Sequence, residues 1–225
     1  MRHPDSMRKL ALAAFIATSA LVVMAGTAWG IRLFALHRTQ APIQQPANMA
    51  IGGFPMNGKL APDFNLVDQF SQPMTLSSLR GHEVVLAFID SQCKSLCPLT
   101  ATIMYNAKAQ LGPSAANKVV LIAVNANPTA TSVAEVQAWS ISHGMLHQWS
   151  FLTGTAQQLQ SVYHSYNELV QVSSSGLVVH DSAMLIIDPT GHERLYFETL
   201  DSSNQTDLKS EESGLVAGMR QWLPS

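Results

Sequence analysis

Two cysteines constrain this chain more than any other feature. Cys93 and Cys97 are its only cysteines. They stand four residues apart, directly after the unbroken apolar run Val84 to Ile89. A run of that length with no polar alternation reads as a strand buried on both faces. Beyond Cys97, Leu99, Ile103, Ala107 and Leu111 recur every four residues, and Gly112-Pro113 ends the pattern. That spacing predicts a helix, with Pro98 tolerated in its first turn. The cysteines therefore sit where a strand passes into a helix. The positive end of the helix should favour thiolates there. Positions i and i+4 of a helix share a face, so the two Sγ atoms are expected to converge. A disulfide this short closes too small a loop to stabilise a fold, so the pair is expected to be redox-active or metal-binding. Two converging thiolates make a soft site, suited to Cu(I), zinc or an iron–sulfur cluster.

The elements around this junction alternate. Short strands are expected at Phe64 to Val67 and Met74 to Leu76, and a second buried strand at Val119 to Val124. Ser132 with Glu135, and Thr155 with Gln158, have the spacing of capping boxes and open helices running to about His143 and Tyr166. Met184 to Ile187 and Leu195 to Phe197 flank the turn Asp188-Pro189-Thr190-Gly191 as a hairpin, and Asp207 to Leu223 closes the chain as an amphipathic helix. The order β-α-β-α followed by β-β-α implies an α/β fold, a central mixed sheet with helices on both faces. Apolar residues make up 47% of the 225, enough for one sizeable core. The net charge of −2 supplies no basic stripe for nucleic acid.

Arg2, Arg8 and Lys9 precede an apolar run from Leu10 to Ile31 that lacks any ionisable residue. Its length, roughly 22 residues, is that of a bilayer-spanning helix, and the basic flank keeps its N-terminal end in the cytoplasm. Gly26 and Ala28 offer the competing reading of a cleaved signal, although the run is longer than such segments usually are. Either way the rest of the chain is expected outside the cytoplasm, in a periplasm or comparable space. The resulting organisation is a membrane anchor or signal segment over residues 1–33, a flexible linker rich in Gln, Pro, Asn, Gly and Met over 34–58, and one folded domain over 59–225.

A third ligand beside the cysteines would have to come from the eight histidines. His3 precedes the apolar run, His37 falls in the linker, His82 and His192 in turns, and His143, His147 and His164 on or near polar helix ends. His180 is expected at the start of the Met184 to Ile187 strand. A single histidine is more often structural than ligating, so on this reading the choice stays open.

The stretch Ala61-Pro62-Asp63-Phe64, then Leu79-Arg80-Gly81 and the apolar strand, resembles the thioredoxin-like superfamily. A narrower likeness comes from Cys93-Lys94-Ser95-Leu96-Cys97-Pro98, Trp149-Ser150-Phe151-Leu152-Thr153-Gly154, and His180 eight residues before Asp188. Over about residues 58 to 200 the chain resembles the Sco/SenC family of copper-binding proteins. That resemblance implies a thioredoxin-like fold and a copper ion held by Cys93, Cys97 and His180. It also implies a part in building the dinuclear copper centre of cytochrome c oxidase subunit II, as copper donor, as thiol reductant, or both. Two departures touch the surroundings of the ligands. Val179 stands where the family commonly has an acidic residue, with Asp181 following, and Asp90-Ser91-Gln92 lacks the proline often found before the first cysteine.

Three other readings compete with this one. A periplasmic thiol–disulfide oxidoreductase carries CxxC and a cis-proline six residues before the hairpin Asp; here the spacing is CxxxC and that position is Ser182. A CxxxC pair can still cycle through a disulfide, so a membrane-anchored oxidoreductase using Cys93 and Cys97 is the alternative function. A peroxiredoxin needs Pro and Thr where Leu86 and Asp90 stand. A structural zinc site would need a fourth ligand, for which Asp90 or Asp181 is the nearest choice.

Overall fold

The structure, a computed structural model, describes residues 53–199 and 204–224. In chain order the first half contains β1 (Phe54–Pro55), β2 (Asn65–Val67), β3 (Pro73–Thr75), β4 (Glu83–Ile89), α1 (Leu96–Ala109), α2 (Pro113–Ala116) and β5 (Val119–Asn125). There follow α3 (Val133–Ser142), β6 (Ser150–Leu152), α4 (Ala156–Tyr166), β7 (Val170–Val172), β8 (Val178–His180), β9 (Ala183–Ile187), β10 (Glu193–Glu198) and α5 (Gln205–Trp222).

β4 is the axis. All seven of its residues are buried. Val85, Ala87 and Ile89 feed the core on one side of the sheet, and Val84, Leu86 and Phe88 feed the core on the other. A strand apolar on both faces must be covered on both. The six-stranded sheet runs β1-β10-β9-β4-β5-β6. β4, β5 and β6 are parallel, joined by α1 and α3, while β9 and β10 run antiparallel on the opposite side. α1, α5 and the Val136 and Trp139 side of α3 cover one face. Leu159, Val162, Tyr163 and Tyr166 of α4 cover the other, together with Leu66 of the β2–β3 hairpin. Both expected capping boxes form, Ser132 with Glu135 and Thr155 with Gln158. At the β9–β10 turn Asp188 Oδ1 accepts bonds from the Thr190 and His192 amides, and Gly191 takes a φ of 86°.

The sheet, its mixed sense and the helical layers follow the sequence expectations; several details differ. The buried stripe of α1 is Cys97, Thr100, Ala101, Ile103, Met104 and Ala107, whereas Leu99 and Leu111 are only half-buried. A strict four-residue step drifts around a helix of 3.6 residues per turn, so the stripe that faces the sheet is the one led by Cys97. α1 begins at Leu96, which leaves Cys93 in the preceding loop and off the helix altogether. The two cysteines therefore do not share a helical face. β1 lies inside the stretch expected as linker, because Phe54 and Pro55 pair with Tyr196 and Leu195 at the sheet edge. The β7–β8 hairpin was not anticipated, since Ser173, Ser174, Ser175 and Gly176 obscure two short strands. As a consequence His180 ends β8 and does not begin β9. The run Leu10 to Ile31 lies outside the described residues; among those described, no helix is long and apolar enough to cross a membrane.

Candidate metal centre

Three separate pieces of the chain meet at the carboxyl ends of β4 and β5. The first is the cysteine loop. Asp90, buried at the end of β4, accepts bonds at Oδ1 from the Gln92 amide at 2.8 Å and from Asn127 Nδ2 at 2.9 Å. The Cys93 amide donates to the Asp90 carbonyl at 3.1 Å. These bonds fold the loop into a turn that sets Cys93 half-buried near the head of α1. The second piece is Cys97, which heads the sheet-facing stripe of α1, is 1% exposed, and accepts the Asp90 amide at 3.4 Å. The third is His180, brought over the cysteines by the β7–β8 hairpin.

His180 is held by its inner nitrogen. Nδ1 lies 2.7 Å from the Asp181 carbonyl, which can only accept, so Nδ1 carries the proton. Nε2 is thereby left with its lone pair and lies 3.4 Å from Cys97 Sγ. This is the arrangement in which an imidazole is ready to ligate through Nε2. Neither cysteine is in a disulfide.

Their protonation is unequal. The neighbouring Cys97 thiol holds the Cys93 thiol down at about 4, against burial and aided by the Cys97 and Ser95 amides. The same contact, burial and the charge on Cys93 push Cys97 far up, so the pair rests as one thiolate and one thiol. Burial opposes the charged form of His180, but Glu168 and the Asp181 carbonyl outweigh it and raise its pKa. Burial raises Glu168 to about 7, with His180 drawing it back.

Of the three expected ligands, Cys97 and His180 are in contact and Cys93 lies next to Cys97. Among the described residues, no three His, Cys, Asp or Glu side chains are arrayed closely enough to hold a metal without movement. Of the three, Cys93 is the one on a loop, before α1 begins. Both candidates for a fourth zinc ligand are already engaged through one oxygen: Asp90 Oδ1 as described, and Asp181 Oδ2 by the Leu169 amide at 3.2 Å. Val179 points outward, 51% exposed, while Asp181 serves His180 through its main chain. Among the described histidines, only His143 comes near this loop otherwise. It stacks on Trp139 at 3.9 Å and shares with Cys93 an open groove of about 890 Å³ between the cysteine loop and α3.

Sequence reasoning missed Asn127 and Glu168. Asn125 and Asn127 interrupt an otherwise apolar strand end and could have been flagged as buried polar groups in need of partners. Glu168 carries no such signal, because only the hairpin brings it to His180.

The SCO1/SenC family profile matches residues 55–212, most of the chain. The chain belongs to the SCO1/SenC family. A Stutzerimonas stutzeri protein named for copper binding is 24% identical over 139 residues, a match spanning 59% of this chain and 66% of that relative's length. Arabidopsis thaliana ScoI, solved with copper bound, superposes with a TM-score of 0.61 at 22% identity, covering 73% of this chain and all of that one. BsSco, described with a disulfide switch as a member of the Sco family of cytochrome c oxidase assembly proteins, superposes at 0.56 with 19% identity, covering 72% of this chain and 95% of that one. Both superpositions extend over the thioredoxin-like fold.

Proposed function

We propose that this chain is a membrane-anchored, extracytoplasmic copper metallochaperone that carries one copper ion on Cys93, Cys97 and His180 and delivers it to the dinuclear centre of cytochrome c oxidase subunit II. The observation that carries the proposal is the 3.4 Å approach of His180 Nε2 to Cys97 Sγ, with Nδ1 already committed to a carbonyl. Two thiolates and one imidazole suit copper, and membership of the SCO1/SenC family supports the assignment. The basic flank and apolar run at residues 2 to 31 support the anchor and the side of the membrane. Cargo binding requires reduced cysteines, since a Cys93–Cys97 disulfide removes both soft ligands. Copper occupancy and oxidation of the pair therefore exclude each other. With Cys93 half-buried at a loop, the ion can pass to an acceptor by ligand exchange.

The reduced full-length protein, purified in detergent, should bind one copper. Cys93→Ser, Cys97→Ser and His180→Ala should each weaken binding at least about tenfold. Parent-like binding by His180→Ala would remove the third ligand from the proposal.

A second reading, a thiol–disulfide oxidoreductase, draws on the depressed Cys93 thiol standing before a buried, protonated Cys97. That is the division between an attacking and a resolving thiol. Insulin reduction by the copper-free protein separates the two: robust turnover favours the reductase, and none favours the chaperone.

A further inference from the structure

Glu168 is a buried carboxylate that the fold does not need. Its side chain is 4% exposed, and its Oε1 makes no hydrogen bond. Burying a carboxylate without full partners is costly, and an apolar residue at the position would avoid the cost. What lies opposite Oε1 is Nδ1 of His180, at 3.8 Å, whose own side chain is 7% exposed.

The placement is fixed by the backbone. Asn167 ends α4 in the left-handed conformation, φ 55°, and turns the chain so that the Glu168 amide returns to the Tyr163 carbonyl at 2.8 Å. Val170 pairs with His180 across the hairpin. Glu168 lies two residues before that pair, outside the strand, and its Oε1 comes within 3.8 Å of His180 Nδ1. The base of the hairpin is closed by the Asp181 amide on the Leu169 carbonyl and the Leu169 amide on Asp181 Oδ2, each at 3.2 Å.

We infer that Glu168 is a positioning residue for His180: its carboxylate favours the Nδ1–H tautomer, keeps the ring from flipping, and so presents Nε2 to Cys97. The Asp181 carbonyl fixes the direction of the N–H bond. The carboxylate behind it adds a negative charge that polarises the ring and makes Nε2 the better donor. A flipped ring would turn carbon toward the Asp181 carbonyl, leaving that acceptor unpaired, and would take the N–H away from the carboxylate. The tautomer part stands on the hairpin geometry alone; the effect on metal rests on the copper reading above.

The test uses the reduced full-length protein carrying Glu168→Gln or Glu168→Leu, each checked for parent-like circular dichroism. Nitrogen-15 shifts of the His180 ring in the metal-free protein report the tautomer. In the parent Nδ1 should carry the proton; Glu168→Leu should give a mixture of tautomers. Glu168→Gln keeps the shape and an accepting oxygen but loses the charge, so it should keep the tautomer while shifting the Nε2 resonance. Copper affinity should fall about tenfold in Gln and further in Leu. Parent-like ring shifts and affinity in both variants, or a lowered thermal midpoint as the sole effect, would overturn the inference. If the parent binds no copper but Glu168→Leu still mixes the tautomers, the copper reading fails and the positioning role stands.

Discussion

At the scale of single residues, the cysteines divide one task unequally. Cys93 is half-buried on a loop and rests as thiolate; Cys97 is packed into the core and keeps its proton. Alkylation by iodoacetamide should therefore modify Cys93 alone, and should persist down to about pH 5, well below the range of an ordinary thiol. Its low value depends first on the Cys97 thiol, so Cys97→Ala should move the pH midpoint of Cys93 alkylation upward by more than about one unit. An unmoved midpoint would assign the effect to the backbone amides instead. The identity of the cysteine pair was legible from spacing, because nothing but a short loop separates the residues. The reason Cys93 comes to the head of α1 was not. It is a turn built on Asp90 and Asn127, not a shared helical face. His180 was nameable only through family resemblance, and Glu168 not at all, because contacts across a hairpin depend on a register that short, serine-rich strands do not announce.

At the scale of elements, strong local signals were read correctly and weak ones were missed. β4 and β5 are continuous apolar runs, and α3 and α4 are announced by capping boxes that form as expected. Ser132→Ala and Thr155→Ala should each lower unfolding stability by about 1 kcal/mol in urea titrations, and jointly by the sum, since they cap different helices. A double variant no weaker than either single one would mean the caps are not independent. β1 and β6, two and three residues long, carry too little periodicity to stand out. They exist because neighbouring strands offer unpaired edges, which is tertiary information.

At the scale of the whole molecule, the end of the sheet opposite the cysteines holds a group at odds with its setting. Glu83 begins β4 fully buried, with neither carboxylate oxygen hydrogen-bonded, and burial together with the charge of Asp188 raises it to about 8. A carboxyl raised in the folded state favours folding in its neutral form. Its contribution is complete below pH 4.5 and is lost as pH climbs through 8. Glu83→Gln should thus match the parent near pH 4 and exceed it at pH 8 by on the order of 2–4 kcal/mol, measured by denaturant unfolding across that range. A gain equal at both pH values would point to packing and not to charge. The proposed ligands differ in how firmly the fold holds them. Cys97 is anchored in the main core, whereas His180 rides on a two-stranded hairpin outside the six-stranded sheet, held at its base by a few bonds around Asp181. Such a unit can open with far less free energy than the sheet can. Amide hydrogen exchange at Val178 to His180 should outpace that of β4 by orders of magnitude. On the copper reading proposed above, the hairpin would be a latch: local melting of one small ribbon would release the cargo, while the six-stranded scaffold stays folded through repeated loading.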